Sequence, residues 1–281
     1  MKKERTLLAV FAHPDDEVFG IGGTLARYAA EGVHVVLICA TRGEVGEIAE
    51  GTMATPETLG QVREEELRCA AEALGIHEIM FLGYRDSGMT GTPENDDPRA
   101  FMNAPSDEVV AQLVGIIRQV RPQVVITFDP DGGYGHPDHI AIHHHTLAAF
   151  DAVGDPLSYL DQGPSWMPDR LFYTVISRSL MSNMRIRMEE LGLDTSEFDS
   201  FEEMGEFGWP DSQIHLTLDA SASVHAKWKA FDCHHTQFSG DNLLFRLPEM
   251  EMKQILRYEH LALARPETSP KTRLADLFGS I

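Results

Sequence analysis

Short apolar runs alternate along the chain with longer segments in which apolar residues recur three and four positions apart. The runs Leu7 to Ala12, Val33 to Ala40, Ile79 to Leu82, Val124 to Asp129 and Leu171 to Ile176 read as parallel strands. Between them, Val18 to Ala30, Glu57 to Leu74 and Asp107 to Val120 keep polar residues on one face, which predicts crossover helices. The pattern predicts the α/β class: a Rossmann-like open, mostly parallel sheet with helices on both faces. After Ile176 the alternation is less regular. Arg178 to Leu191 predicts a helix whose Met181, Met184, Met188 and Leu191 form a packing stripe. Asp219 is placed to N-cap a helix running to about Cys233, and Glu249 to Leu263 reads as the last helix. The acidic, Phe-rich stretch Glu197 to Trp209 is a cap or a solvated insertion.

In open parallel sheets, ligands bind outside the carboxyl ends of the strands. Two connections there, Thr41 to Pro56 and Gly83 to Pro105, exceed the length of about 12–15 residues beyond which loops are commonly functional. Both are expected to line or cover a site. At 281 residues the chain suffices for one large domain and does not demand two. Residues 1–150 then carry the chemistry, and 151–281 complete the fold and supply a candidate cap.

Charge narrows the partners. With 23 basic against 44 acidic residues, the net charge of −21 argues against nucleic acid, whose binding depends on Lys and Arg neutralising phosphates. No apolar stretch approaches the ~20 residues of a membrane span. The run from Thr6 to Ala12 is too short for a signal peptide and ends in His13-Pro14-Asp15-Asp16-Glu17. Three cysteines, an odd count with no C-x-x-C pair, do not suggest a disulfide framework, so a reducing, cytoplasmic setting is expected. Self-association is left open.

The candidate chemistry lies in two similar tetrapeptides, His13-Pro14-Asp15-Asp16 and His136-Pro137-Asp138-His139, each following a strand and opening a helical segment. A proline suits the first helical turn, where its missing N–H has no partner to lose. Zinc takes nitrogen and oxygen ligands, and a catalytic site keeps three protein ligands with one position open. His13, Asp16 and His139 supply that set; ferrous iron or another divalent ion is the alternative. Adjacent Asp15 and Asp16 cannot point the same way, so Asp15 is left as the base for a metal-bound water. His136 is placed to stabilise an oxyanion or protonate a leaving amine, with Asp138 orienting it, and Tyr134 donates from a flexible glycine turn.

Other signals are weaker. Arg63 among Glu64, Glu65 and Glu66 reads by itself as a solvated helix charge, and Asp86 beside Arg85 as a turn ion pair. His143, one helical turn from His139, is expected to pack rather than ligate. Gly20-x-Gly22-Gly23 falls inside a helical segment, not at the strand-to-helix turn, so it predicts close packing and no nucleotide.

Ala12 to Glu17, Thr41-Arg42-Gly43-Glu44 and Gly135 to His139 resemble the LmbE-like, or PIG-L, N-acetylglucosaminyl-phosphatidylinositol deacetylase family, well over the first 150 residues and loosely beyond. Arg85 to Met89, Asp129 to His136, Lys227 and His235-Thr236-Gln237 are most similar to the deacetylases and amidases of mycothiol metabolism. The resemblance implies zinc at His13, Asp16 and His139, a base at Asp15, an acid or oxyanion role for His136, and sugar contacts near Arg63 and Asp86. One of His234 and His235 is expected to reach the site from the C-terminal region, and the resemblance points to His235. The implied reaction removes an N-acetyl group from a glucosamine-containing small molecule, with cleavage of a larger amide such as a thiol S-conjugate as the alternative. A sugar-binding protein without catalysis would have no need of Asp15 beside an open metal.

Overall fold

The computed structural model describes residues 5–196, 198, 207–238 and 246–279. Five strands, β1 (Thr6–Phe11), β2 (His34–Cys39), β3 (Glu78–Phe81), β4 (Val124–Phe128) and β5 (Arg170–Val175), each begin within one residue of an apolar run and pair in parallel. β1 is buried at every position, as a strand covered on both faces must be. Two further strands, β6 (Leu216–Asp219) and β7 (Tyr258–Arg265), join antiparallel, giving the order β3-β2-β1-β4-β5-β7-β6.

The helices are α1 (Asp16–Phe19), α2 (Gly22–Ala30), α3 (Leu59–Leu74), α4 (Ser106–Val120), the single turn α5 (Gly132–Gly135), α6 (Pro137–Val153), α7 (Arg178–Glu190), α8 (Val224–Cys233) and α9 (Glu249–Ile255). α2 and α3 pack together with α8, and α4 packs with α6 as a second group.

Four expectations are corrected. The helix expected from Val18 to Ala30 breaks at Gly20-Ile21. A Cβ on Gly20 would come 2.4 Å from Thr174 Oγ1 and one on Gly23 2.5 Å from the Ala220 Cβ, so these glycines serve close packing. Asp219 ends β6 and accepts from the Ser221 N–H at 2.9 Å; it does not cap α8. The helix expected to reach Leu263 stops at Ile255, because Leu261, Ala262 and Leu263 are buried between β5 and β6 and the sheet overrides local preference. In α7, Met184 and Met188 are buried and Met181 packs beside them, whereas Leu191 is exposed. Most of the acidic stretch, residues 197 and 199–206, lies outside the described residues.

The cysteine reading is corrected too. Cys69 on α3 and Cys233 at the end of α8 form a disulfide, with Cα atoms 5.7 Å apart and 164 residues between them in sequence. Only the packing of α3 against α8 brings them together, which no spacing rule reveals. Cys39 is free and buried. Thiol titration in denaturant without reductant should therefore find one thiol per chain, and Cys233→Ser should lower unfolding stability by about 2–4 kcal/mol. Three titratable thiols would overturn the pairing. No helix among the described residues is long and apolar enough to cross a membrane.

Candidate active site

β1 and β4 are neighbours at the point where the strand order reverses, and the crevice there is where a ligand fits an open α/β sheet. His13 lies just beyond β1 and His139 in the first turn of α6, which follows β4. Pro137 occupies the start of α6, and His136 caps it by accepting the Asp138 N–H on Nδ1 at 3.1 Å.

Hydrogen bonds assign the ring protons. His139 Nδ1 is 3.0 Å from the Gly132 carbonyl, which only accepts, so Nδ1 carries a proton and Nε2 is turned toward Asp16 and His13. His13 Nε2 is 3.1 Å from Asp138 Oδ2 and 3.5 Å from Asp86 Oδ1, so Nε2 carries a proton and Nδ1 is the nitrogen turned toward His139. His13 Nδ1 and His139 Nε2 face each other at 3.1 Å. Asp16 Oδ1 lies 3.2 Å from His139 Nε2, and its Oδ2 lies 3.7 Å from His13 Nδ1. Imidazole nitrogens and a carboxylate converging in a buried space need protons or a cation between them. Ligands held 2.0–2.1 Å from a tetrahedral ion stand roughly 3.3 Å apart, close to these separations. The donor set fits a divalent ion.

Asp138 has a different partner from the one expected. Its carboxylate takes the His13 Nε2–H together with the Ser87 N–H, at 3.0 Å, and the Ser87 hydroxyl, so it orients His13 rather than His136. A ring nitrogen of His136 comes within 4.8 Å of ring nitrogens of His13 and His139. Burial, then the neighbouring histidines, hold its pKa down to about 4, so the ring is neutral. With Nδ1 accepting, its Nε2–H is the available donor.

Asp15 adopts φ 114° and ψ −26°, a left-handed conformation that costs a residue with a side chain on the order of 1–3 kcal/mol. The turn separates the adjacent carboxylates. Asp16 folds back to accept the Ala12 and His13 N–H groups at 3.1 and 2.8 Å, while Asp15 stays free of them. Burial, followed by the charge of Asp16, lifts the Asp15 pKa to about 7, against the pull of His234 and Arg63. Burial alone would raise Asp16 as well, but His139 and His13 hold it down at about 2. Two neighbouring carboxylates are thus set apart, one ionised and one titrating near neutrality.

The loop residues are buried, contrary to their bland readings. Arg63 is 5% exposed and donates to the carbonyls of Gly43 and Glu47 at 2.8 and 3.0 Å, shaping the loop from Thr41 to Pro56 around its guanidinium. Asp86 accepts from the Gly88 and Val45 N–H groups, while Arg85 pairs with Asp97. Tyr134 stands edge-on to His139, ring centres 5.0 Å apart, and is half exposed. Its turn is pinned rather than flexible: Asp129 accepts from the Gly133 N–H at 2.8 Å and from the Trp209 indole at 2.7 Å. His143 donates to the Phe128 carbonyl, a packing role.

Sequence reasoning missed Glu17 and left His234 and His235 as alternatives. Glu17 and His234 are fully buried, with His234 Nε2 2.7 Å from Glu17 Oε1, and it is His234, not the exposed His235, that comes close to the site. Glu17 belongs to the first motif, which was a usable signal; His234, 217 residues away in sequence, was one of two candidates, and its burial against Glu17 decides between them.

Residues 8–150 match the family described as PIG-L: GlcNAc-PI de-N-acetylase. A 1D-myo-inositol 2-acetamido-2-deoxy-alpha-D-glucopyranoside deacetylase from Geodermatophilus obscurus is 41% identical over 95% of this chain and 94% of its own. The chain belongs to the PIG-L family. The matched residues contain every candidate from His13 to His139. Among solved structures, N,N'-diacetylchitobiose deacetylase from Pyrococcus horikoshii aligns over 93% of this chain and 84% of its own, with TM-score 0.65 and 22% identity. GalB, the 4-carboxy-2-hydroxymuconate hydratase from Pseudomonas putida, aligns over 94% and 98%, with TM-score 0.62 and 17% identity. The PIG-L scaffold alone therefore does not fix a reaction, and the chemistry must be argued from side chains.

Proposed function

We infer that this PIG-L protein is a zinc-dependent N-deacetylase that releases acetate from a glucosamine-containing small molecule. The observation that carries the reading is the convergence of two imidazole nitrogens, His13 Nδ1 and His139 Nε2, on Asp16, with a second carboxylate, Asp15, kept out of that set. His13, Asp16 and His139 would hold the ion, ferrous iron being the alternative to zinc. A bound divalent ion supplies a Lewis acid and a water of lowered pKa. Asp15 takes the proton of the attacking water and returns it to the departing amine, so the amide C–N bond breaks as the C–O bond forms. His136 donates its Nε2–H to the carbonyl oxygen as negative charge collects there. Asp138 holds the His13 Nε2–H, with Nδ1 turned toward His139 and Asp16.

Substrate choice rests on the relatives, with Asp86, 3.5 Å from His13, and the buried Arg63, which shapes the loop from Thr41 to Pro56, as candidate sugar contacts. The substrate named for the Geodermatophilus relative is an N-acetylglucosaminide of inositol. That compound should be deacetylated faster than a simple N-acetyl amino acid, read as released primary amine. Equal turnover would sink the sugar assignment and leave the amidohydrolase intact. Faster cleavage of a thiol-conjugate amide would favour the amidase reading.

A further inference from the structure

A segment far from the first motif in sequence reaches the Asp15 turn. Glu17 Oε2 accepts the Asp15 N–H at 3.0 Å, while Glu17 Oε1 faces His234 Nε2 at 2.7 Å. Gln237 Nε2 donates to the carbonyl of Pro14 at 2.7 Å. The segment is itself fastened to α3: Thr236 donates its N–H and hydroxyl to Glu66 at 2.8 and 2.6 Å, and Cys233 is bonded to Cys69. His234 Nδ1 is buried and makes no hydrogen bond among the described residues, so the polar contact of this imidazole is the one to Glu17.

A left-handed turn at a residue with a Cβ does not hold itself. Here its N–H and the carbonyl before it are taken by Glu17 and Gln237, and Glu17 is in turn held by His234. We propose that Glu17, His234 and Gln237 are positioning residues for the base, a clamp that sets the Asp15 carboxylate apart from Asp16. The proposal rests on the reading of Asp15 as base. Neither His234 nor Gln237 exchanges a hydrogen bond with a ligand atom among the described residues, so the clamp acts on chemistry and not on metal retention.

The test is a double-mutant cycle on the zinc-loaded, full-length protein. His234→Ala and Gln237→Ala should each keep the metal content of the parent and leave KM nearly unchanged, while kcat falls by about 10–100-fold. His234→Gln, whose side-chain amide can still donate to Glu17, should recover most of the rate. Combined with Asp15→Asn, either alanine change should alter the residual rate by less than about twofold, because a positioning group has nothing left to position. Losses that multiply in the double variants, or single variants of full activity, overturn the clamp. If His234→Ala does not fold, Gln237→Ala and His234→Gln complete the same cycle. A fully active Asp15→Asn protein overturns the base assignment itself, a result distinct from multiplying losses in an impaired Asp15→Asn background.

Discussion

Asp15→Asn should keep its metal and lose about 10²–10⁴-fold in kcat, a barrier increase of roughly 3–5 kcal/mol. The amide has the shape of the carboxylate and leaves His13, Asp16 and His139 untouched, so occupancy should match the parent. The missing interaction forms only as water attacks, which places the loss in kcat rather than KM. The parent carries a matching pH signature. A base works ionised, so the rate should rise with pH through the Asp15 titration, near or below its lifted value of about 7, and acid should silence the enzyme. In the Asn variant that limb should vanish from the residual activity. An Asp15→Asn protein that is fully active, or inactive only through loss of metal, would show that the two aspartates have been given the wrong roles.

Removing the ion or one of its ligands should have a comparably large effect by a different route. A chelator should abolish turnover, and added zinc should restore it. His139→Ala should lose both metal and activity, because Asp16 and His13 alone leave the ion two protein ligands instead of three. Asp16→Ala should behave alike, with partial recovery at excess zinc. Asp138→Asn grades the series: it weakens the partner of His13 without removing a ligand, and should reduce metal affinity or activity by about 10–100-fold. Elemental analysis after dialysis, paired with initial rates, reads every arm. Unchanged metal content in His13→Ala, Asp16→Ala and His139→Ala alike would refute the site.

The strands were legible because β1, β2, β4 and β5 are nearly continuous apolar runs, and covering both faces of a sheet requires that. The motif residues were legible because each sits where a strand gives way to a helix. What escaped was set by contacts across the fold. The break after Phe19 answers to Thr174 on β5, and the strand at Tyr258 answers to its two neighbours in the sheet. The partner of Asp138 depends on which way an imidazole turns, and no spacing of letters encodes that. Arg63 looked solvated among three glutamates, yet the helix buries its face against a loop whose glycines leave room for the guanidinium.

β7 lies between β5 and β6, although both come before it in the chain. Its Glu259 receives the N–H groups of Gly23 and Thr24 and pairs with Lys227 of α8, so one carboxylate joins the opening helix pair to the helix that leads into His234. Order of synthesis then matters. The five parallel strands can assemble from successive crossovers while the chain is still being made, but β6 pairs only with β7 and must wait for it. The histidines of the first half would be in place early. The segment that carries His234 and Gln237 is made late, so the turn at Asp15 gains its fastening only when the chain is nearly complete.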